Sequence, residues 1–271
     1  MIVKIIAVLI IAFLIFPVMI IIPMSFSSSQ YLEFPPPGFS TQWYEKFFNN
    51  IMWTTALKNS IEVGVITTVL ALVLGIMAAY GLYKADFKGK SAVTELFMMP
   101  MLVPGIIVGL AIYRFESQTR VFGLPLSGTM QGLVIAHTVL AIPFVIKTVL
   151  ASLAGLNPNL ELAAQSLGAS KFKALIKVVF PCIKPAIFSG AMFAFATSFD
   201  EIVVTQFIAG VRVTTLPKKM WEGLKQQLDP TITAIAAILI IGITLLMIVM
   251  NAKDIFYRKP KAIREEVVED E

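Results

Sequence analysis

The sequence predicts an all-α integral membrane protein with six transmembrane helices and both termini in the cytoplasm. Hydrophobic residues make up 57% of the 271 residues, charged residues only 14%, and the mean hydropathy is +0.82. A soluble domain does not need so much apolar surface, whereas a bundle of membrane helices does. The apolar residues are also collected into long runs, and Lys and Arg are concentrated in the segments on one side of those runs.

Six stretches are long enough to cross a bilayer, which takes about 20 apolar residues. They cover residues 2–25, 59–83, 92–113, 129–150, 185–210 and 231–252. The first stretch is too long and too evenly apolar for a secretory signal and is followed by no small-residue cleavage site, so we expect an uncleaved anchor. Pro100, Pro104 and Pro143 lie inside predicted spans, where prolines bend helices.

The segments between the spans are short, so we expect one transmembrane domain over residues 1–252 and a cytoplasmic tail over residues 253–271. In the first loop, FSTQWYEKFFNN places Trp43, Tyr44, Phe47 and Phe48 at helical spacing. This pattern predicts a short helix that lies at the outer membrane interface.

The distribution of basic residues indicates the orientation. With the N-terminus inside, 14 of the 22 Lys and Arg residues fall in cytoplasmic segments. Such enrichment is typical of the cytoplasmic side and favours both termini there. The net charge of +5 follows from this topology and gives no support to nucleic-acid binding. The single cysteine, Cys182, excludes an internal disulfide.

The chain carries no pattern for an energy source of its own. Gly89-Lys90-Ser91 resembles the end of a phosphate-binding loop, but Lys84 occupies the position of the required first glycine. The sequence has no row of intramembrane acids that would indicate a proton relay. It also has no His/Cys cluster that would indicate a metal site. We expect the only histidine, His137, to be packed or hydrogen-bonded in mid-span. We therefore expect no catalytic residue, no metal and no cofactor in this chain.

The segment 157–185, between the fourth and fifth predicted spans, has a distinct pattern. Helical periodicity resumes after Asn157-Pro158-Asn159, is broken at Gly168, and restarts after Ser170 until Pro181 ends it. The pattern predicts a cytoplasmic helix–turn–helix with an apolar face and a basic face. Periodicity alone fits equally well a linker packed against the underside of the protein's own membrane helices.

Within this segment, LAAQSLGASKFKALIKVVFP resembles the EAA loop of permease subunits of binding-protein-dependent ABC transporters. That signature is Glu-Ala-Ala-x-x-x-Gly, followed after nine residues by Ile-x-Leu-Pro. Aligned on Gly168, the sequence has Ala163, Ala164 and Pro181 at the family's positions.

The sequence departs from the signature in two places. Leu162 occupies the usual glutamate position, with Glu161 one residue earlier, and Val178 and Phe180 replace the Ile and Leu. The departure at Leu162 puts a specific glutamate contact in doubt but not the identity of the loop.

The resemblance implies that this segment is a coupling helix that docks on a cytoplasmic ATPase subunit. The contact residues that it implies are Glu161, Leu162, Ala163, Ala164, Gly168, Ala169 and Ser170. It also implies the partners: a homologous permease, a dimer of ATPase subunits that bind ATP and Mg²⁺, and a periplasmic solute-binding protein in a bacterial inner membrane.

The C-terminal half, from FAFATSFDEIVV to LDPTITAIAAILI, is similar to the second permease of spermidine/putrescine importers. This similarity implies a polyamine or a related amino compound as the solute. Importers of amino-acid-like, opine-like and aminophosphonate solutes belong to the same subfamily, so these solutes, and less readily an anion, are alternatives. A stand-alone secondary transporter or a membrane scaffold is a further alternative, but neither explains the 157–185 segment.

Two adjacent acids, Asp200 and Glu201, lie inside the fifth predicted span. A charge at that depth costs about 2.5–3.5 kcal/mol, so both should face water or a partner rather than lipid. On a continuous helix Glu201 shares a polar stripe with Thr197, Ser198 and Thr205, while Asp200 lies about 100° away. We expect these five residues to contribute to a translocation path for an amine, with the stripe of Glu201 lining the path and Asp200 facing a helix of the partner permease. An ion pair or hydrogen bond between the two permeases is the alternative role.

Overall fold

The computed structural model of the chain describes residues 2–121, 123–210, 213–226 and 229–256. Its helices, in chain order, are α1 (Ile2–Ser25), α2 (Gln42–Asn49), α3 (Ile51–Lys84), α4 (Lys90–Leu102), α5 (Gly105–Gln118), α6 (Met130–Ala154), α7 (Asn159–Ser166), α8 (Lys171–Ala174), α9 (Phe180–Phe199), α10 (Val203–Ile208), α11 (Leu216–Gln226) and α12 (Thr231–Phe256). Strands β1 (Arg120–Val121) and β2 (Leu124–Pro125) form an antiparallel hairpin. The described residues form two compact units, one of α1, α2 and α12 and the other of α3 to α11.

Each predicted span falls mainly on helix in the described part of the chain, and the third and fifth are each interrupted. Four helical runs are long and apolar enough to cross a bilayer: α1, α3, α6 and Lys171–Phe199. The pair α4 and α5 is a fifth candidate, counted as one span broken by a bend of 102°. Helix α12 covers the last predicted stretch and ends at Phe256, beyond the predicted boundary at residue 252. Residues 257–271 of the predicted tail lie outside the described residues.

Proline interrupts the helix in the third predicted span, as its position predicts, but at one site only. The helix stops at Val103-Pro104, where both residues have extended ψ angles of 137° and 131°. A residue before proline avoids the α conformation, and proline has no N–H to donate. Pro100 and Pro143 lie within α4 and α6, which continue through them.

The predicted helix end at Pro181 is wrong. Helix α8 continues through a π turn, Leu175–Val179, directly into α9. In a regular α-helix the proline ring would collide with the carbonyl four residues earlier. The π turn widens the helix just before Pro181 and so accommodates the ring. The fifth span therefore begins as a direct continuation of the 157–185 segment.

The core of the larger unit is the packing of α3, α6 and α9. Glycines let the backbones approach: a Cβ built on Gly75 of α3 would lie 2.8 Å from Val145 of α6, and one on Gly190 of α9 would lie 2.9 Å from Thr148. The buried side chains between these helices include Ala71, Ala79, Val145, Val149, Ile183 and Ala194. Because apolar lipid removes the hydrophobic drive between membrane helices, such close packing of small residues holds them together.

In the smaller unit, α2 forms where the sequence predicts a short helix. Trp43 and Phe47, one turn apart, are buried at 7% and 1% exposure. The Trp43 indole Nε1 donates to the carbonyl of Ser27 at 2.8 Å. These contacts fix the amphipathic helix within its unit.

Asp229 caps α12 and joins it to α2. Its Oδ1 accepts from the backbone and hydroxyl of Thr231, and its Oδ2 lies 3.0 Å from Lys46 Nζ. Partial burial acts to raise the pKa of Asp229, but the Thr231 hydrogen bonds and the Lys46 charge outweigh it and hold that pKa below its ordinary value.

The close approach of α3 and α6 predicts that Gly75→Ala destabilises the protein. The new methyl would meet Val145 at 2.8 Å, and such overpacking costs about 1–3 kcal/mol. Thermal unfolding in detergent, followed by intrinsic fluorescence, measures the effect. The matched control is Gly81→Ala in the same helix, where a Cβ meets nothing within 4 Å. Equal midpoints for the two variants would contradict the packing described for α3.

Candidate functional site in the 157–185 segment and the broken fifth span

The turn after α7 is a Schellman motif built on Gly168. Gly168 has φ +88°, its N–H donates to Gln165 O at 2.9 Å, and Ala169 N–H donates to Ala164 O at 3.1 Å. A side chain at this positive φ would be strained, so glycine suits the position. Ser170 then caps the next helix by accepting from Lys173 N–H at 3.2 Å. The predicted helix–turn–helix, with its break and its cap, is confirmed.

The segment carries an exposed apolar surface around this turn. Leu162 is 58% exposed, Leu167 90% and Phe172 73%. Of the other predicted contact residues, Ala163, Gly168 and Ser170 are exposed, and Ala164 and Ala169 are half-buried. A cleft of about 300 Å³ beside Gly168 separates α7 from the helix that follows. Apolar side chains so exposed at one turn are typical of a surface that binds another protein.

Glu161 does not share this surface. It is 7% exposed and points toward the end of α3, where its Oε2 lies 2.7 Å from Lys84 Nζ. Its Oε1 accepts from the Tyr80 hydroxyl at 3.1 Å and from Gln165 Nε2 at 3.3 Å. The sequence grouped Glu161 with the contact residues because of its position near the family's glutamate. Tyr80 and Lys84 lie some 80 residues away in the chain, and local sequence gives no signal for these two partners.

The fifth span is broken at the two acids, so the predicted continuous stripe does not exist. Helix α9 ends at Phe199 and α10 begins at Val203. Glu201 is half-buried, and its Oε1 accepts from Val204 N–H at 2.8 Å at the start of α10. Asp200 is exposed, and Thr197 is half-buried.

His137 bridges the break. Its Nδ1 lies 2.8 Å from Ser198 Oγ of α9 and its Nε2 lies 2.9 Å from Thr205 Oγ1 of α10. Thr205 donates its own hydroxyl proton to Glu201 O, so it accepts from Nε2–H, and Nδ1 accepts from Ser198. All three side chains are buried. The hydrogen-bonded role expected for His137 is confirmed, and it places Ser198 and Thr205 against α6 instead of on an open path.

A cavity of about 600 Å³ lies near the start of α3, far along that helix from Glu161. Its lining includes Asn59 of α3 and Lys218 and Glu222 of α11. Lys218 is 8% exposed and donates to Ala209 O at 3.0 Å. The sequence does not single out these residues, because it predicts only a short polar helix at α11.

The chain matches a family model described as the inner membrane component of binding-protein-dependent transport systems, over residues 71–260. That match covers most of the chain, including the 157–185 segment and the broken fifth span. The chain belongs to this family. It is therefore a permease of an ABC importer, a membrane-transport role without catalytic chemistry of its own.

Three permeases with sequences similar to this chain support its assignment to the family. The spermidine/putrescine permease PotC of Haemophilus influenzae is 31% identical over 240 residues, covering 89% of this chain and 91% of PotC. The putrescine permease PotI of Escherichia coli is 29% identical over 230 residues, covering 84% of this chain and 82% of PotI. A probable molybdenum ABC transporter permease of Haloferax volcanii is 29% identical over 193 residues, covering 70% and 71%.

A solved structure shares the fold. A bacterial ABC transporter for import of the acidic polysaccharide alginate matches with a TM-score of 0.72 at 18% identity, covering 95% of each chain. The fold of the permease family is thus shown for this chain.

The bridging role of His137 predicts that His137→Ala destabilises the permease. The buried Ser198 hydroxyl would lose its partner, at about 1–3 kcal/mol for a buried group left unsatisfied, and Thr205 would keep only its bond to Glu201 O. Thermal unfolding in detergent measures the loss. Thr138→Val is the matched control, because the buried Thr138 hydroxyl bonds within its own helix, to Val134 O at 2.7 Å. A His137→Ala variant as stable as Thr138→Val would refute the bridge.

Proposed function

We propose that this permease is a subunit of an ATP-driven importer for a polyamine or a related amino compound. The observation that carries the proposal is the 157–185 segment, where an exposed apolar turn on Gly168 precedes a helix that runs without interruption into the fifth span. A push on this turn reaches a membrane helix directly. Alternating access driven from a cytoplasmic partner needs such a connection.

The partners that we propose are a homologous permease, two ATPase subunits that bind ATP and Mg²⁺, and a periplasmic solute-binding protein. Leu162, Leu167 and Phe172, with the small residues Ala163 and Gly168, form the surface that we assign to an ATPase subunit. Its apolar side chains supply contact area, and its small residues permit close approach. A neighbouring exposed Lys173 adds a charged rim.

The topology that we propose has six spans, counting α4 with α5 and α9 with α10 as one span each, in a bacterial inner membrane. Both termini are cytoplasmic, as the distribution of Lys and Arg favours. The transmembrane domain then covers residues 1–252 and the tail residues 253–271. The 157–185 segment lies on the cytoplasmic side, facing the ATPase subunits.

Asp200 is the acid that we assign to the translocation path. It is exposed at a break in a membrane span, where an unpaired carboxylate is costly unless it meets water or a cation. Glu201 and Thr197, both half-buried, lie beside it, while Ser198 and Thr205 hold the break in place through His137. PotC and PotI are described as permeases for the amines spermidine and putrescine, which supports an amine as the solute. The relative named as a probable molybdenum permease keeps a molybdenum compound as the second candidate.

Uptake of radiolabelled spermidine tests the proposal, in cells from which their own gene for this permease has been deleted. Cells that express this chain with its partners should accumulate spermidine, and Asp200→Asn should lower uptake at limiting solute about ten-fold. The matched control is Asp86→Asn, an exposed acid in the loop after α3. Uptake of molybdate instead of spermidine would overturn the amine assignment while leaving the importer assignment in place.

The coupling role predicts that Gly168→Ala weakens association with the ATPase subunits. Alanine at φ +88° costs about 1–2 kcal/mol, and the turn must rearrange to relieve that strain. Co-purification of the ATPase subunits should fall about 5- to 30-fold. Gly89→Ala is the matched control, because Gly89 has φ +89° and equally open surroundings but lies outside the 157–185 segment. An equal fall for both variants would show a general loss of stability instead of a lost contact.

A further inference from the structure

Glu161 ties α7 to the end of α3. Its carboxylate meets both Lys84 and Tyr80, which lie one turn apart on α3 and so approach the same group. Gln165, one turn along α7, donates to the same oxygen as Tyr80. The Lys84 side chain is 41% exposed but the Glu161 carboxylate is nearly buried, so parting the two groups leaves the uncompensated charge on Glu161 in a poorly solvated place.

Near its other end, α3 is tied to the segment 214–216. Asn59 Nδ2 donates to Thr214 O at 3.1 Å, and Ser60 Oγ accepts from Leu216 N–H at 2.7 Å. Leu216 is fully buried and begins α11. Residues 60 and 80 are about 30 Å apart along a helix that rises 1.5 Å per residue, which matches the hydrocarbon core of a bilayer.

Between these two attachments α3 has little freedom to slide. Gly64 lies against Phe195 of α9, and Gly75 lies against Val145 of α6. Ala71 and Ala79, on the same stretch, are fully buried. A helix packed this closely moves with its neighbours or changes between discrete positions, because dense interiors do not deform continuously.

We infer that Glu161 is a positioning residue that locks the 157–185 segment to α3, so that α3 carries the displacement of that segment to residues 214–216 and α11. The inference rests on the proposed coupling role of the 157–185 segment. The lock adds a second route for that displacement, beside the direct continuation into the fifth span.

Charge exchange tests the lock. Glu161→Lys and Lys84→Glu should each lower the stimulation of ATP hydrolysis by the spermidine-loaded binding protein about ten-fold, and the double exchange should restore it. The assembly is purified with its ATPase subunits in nanodiscs, and stimulated and unstimulated rates are compared for each variant. Lys88→Glu, at an exposed lysine in the loop after α3, is the matched control. Single variants that assemble and are stimulated like Lys88→Glu would overturn the inference, as would a double variant without recovery.

Cross-linking keeps the inference testable if the charge variants do not assemble. In a Cys182→Ser background, Lys84→Cys and Glu161→Cys are bridged by a short bis-methanethiosulfonate reagent. The unbridged pair should be poorly stimulated, and bridging should restore stimulation until a reductant removes the bridge. If the unbridged pair is stimulated like wild type, or if bridging does not raise stimulation, the lock is refuted.

The wild-type assembly separates this inference from the proposed function. A wild-type chain that neither co-purifies with ATPase subunits nor supports stimulated hydrolysis would overturn the coupling role itself. A wild-type assembly that works, with unaffected Glu161 and Lys84 variants, would overturn the lock alone.

Discussion

The close packing of α3 against α6 is the constraint on which the larger unit depends. At Gly75 the two backbones approach until Val145 leaves no space for a methyl group. The same face of α6 receives α9 through Gly190. Since lipid offers no hydrophobic gain for helix association, this fit is what keeps the three helices in register. Both functional features, the segment after α6 and the break after α9, take their positions from it.

The broken fifth span shows how a membrane protein maintains a non-helical stretch. Backbone groups freed from a helix need partners away from water, and here side chains supply them. Glu201 takes one N–H of α10, and His137 links the two sides of the gap. Asp200, at the same break, is exposed. A polar feature thus appears at membrane depth because its neighbours support the backbone around it.

The positions of the helices and of the turn at Gly168 are predictable from the sequence, and the predictions that are wrong have identifiable physical reasons. Apolar runs located the helices, and the spacing around Gly168 located the turn, because both are local signals. The predicted helix end at Pro181 is wrong, because a π turn upstream accommodates a proline that a regular helix would not. The stripe on the fifth span assumed a helix that the structure interrupts. Tyr80 and Lys84, which bind Glu161, come from a distant helix, and a single sequence does not encode such pairings in a readable form.

The exposure of Leu167 has a consequence for the life of the subunit in the cell. Leu167 is 90% exposed at the tip of a turn, with Leu162 and Phe172 beside it. The contact of this apolar surface with water is unfavourable. A partner that covers it binds only the folded chain, so its concentration sets the apparent stability of the permease. A subunit made in excess of its partner would therefore be the more readily unfolded and degraded one. The amount of permease in the membrane would then follow the supply of that partner.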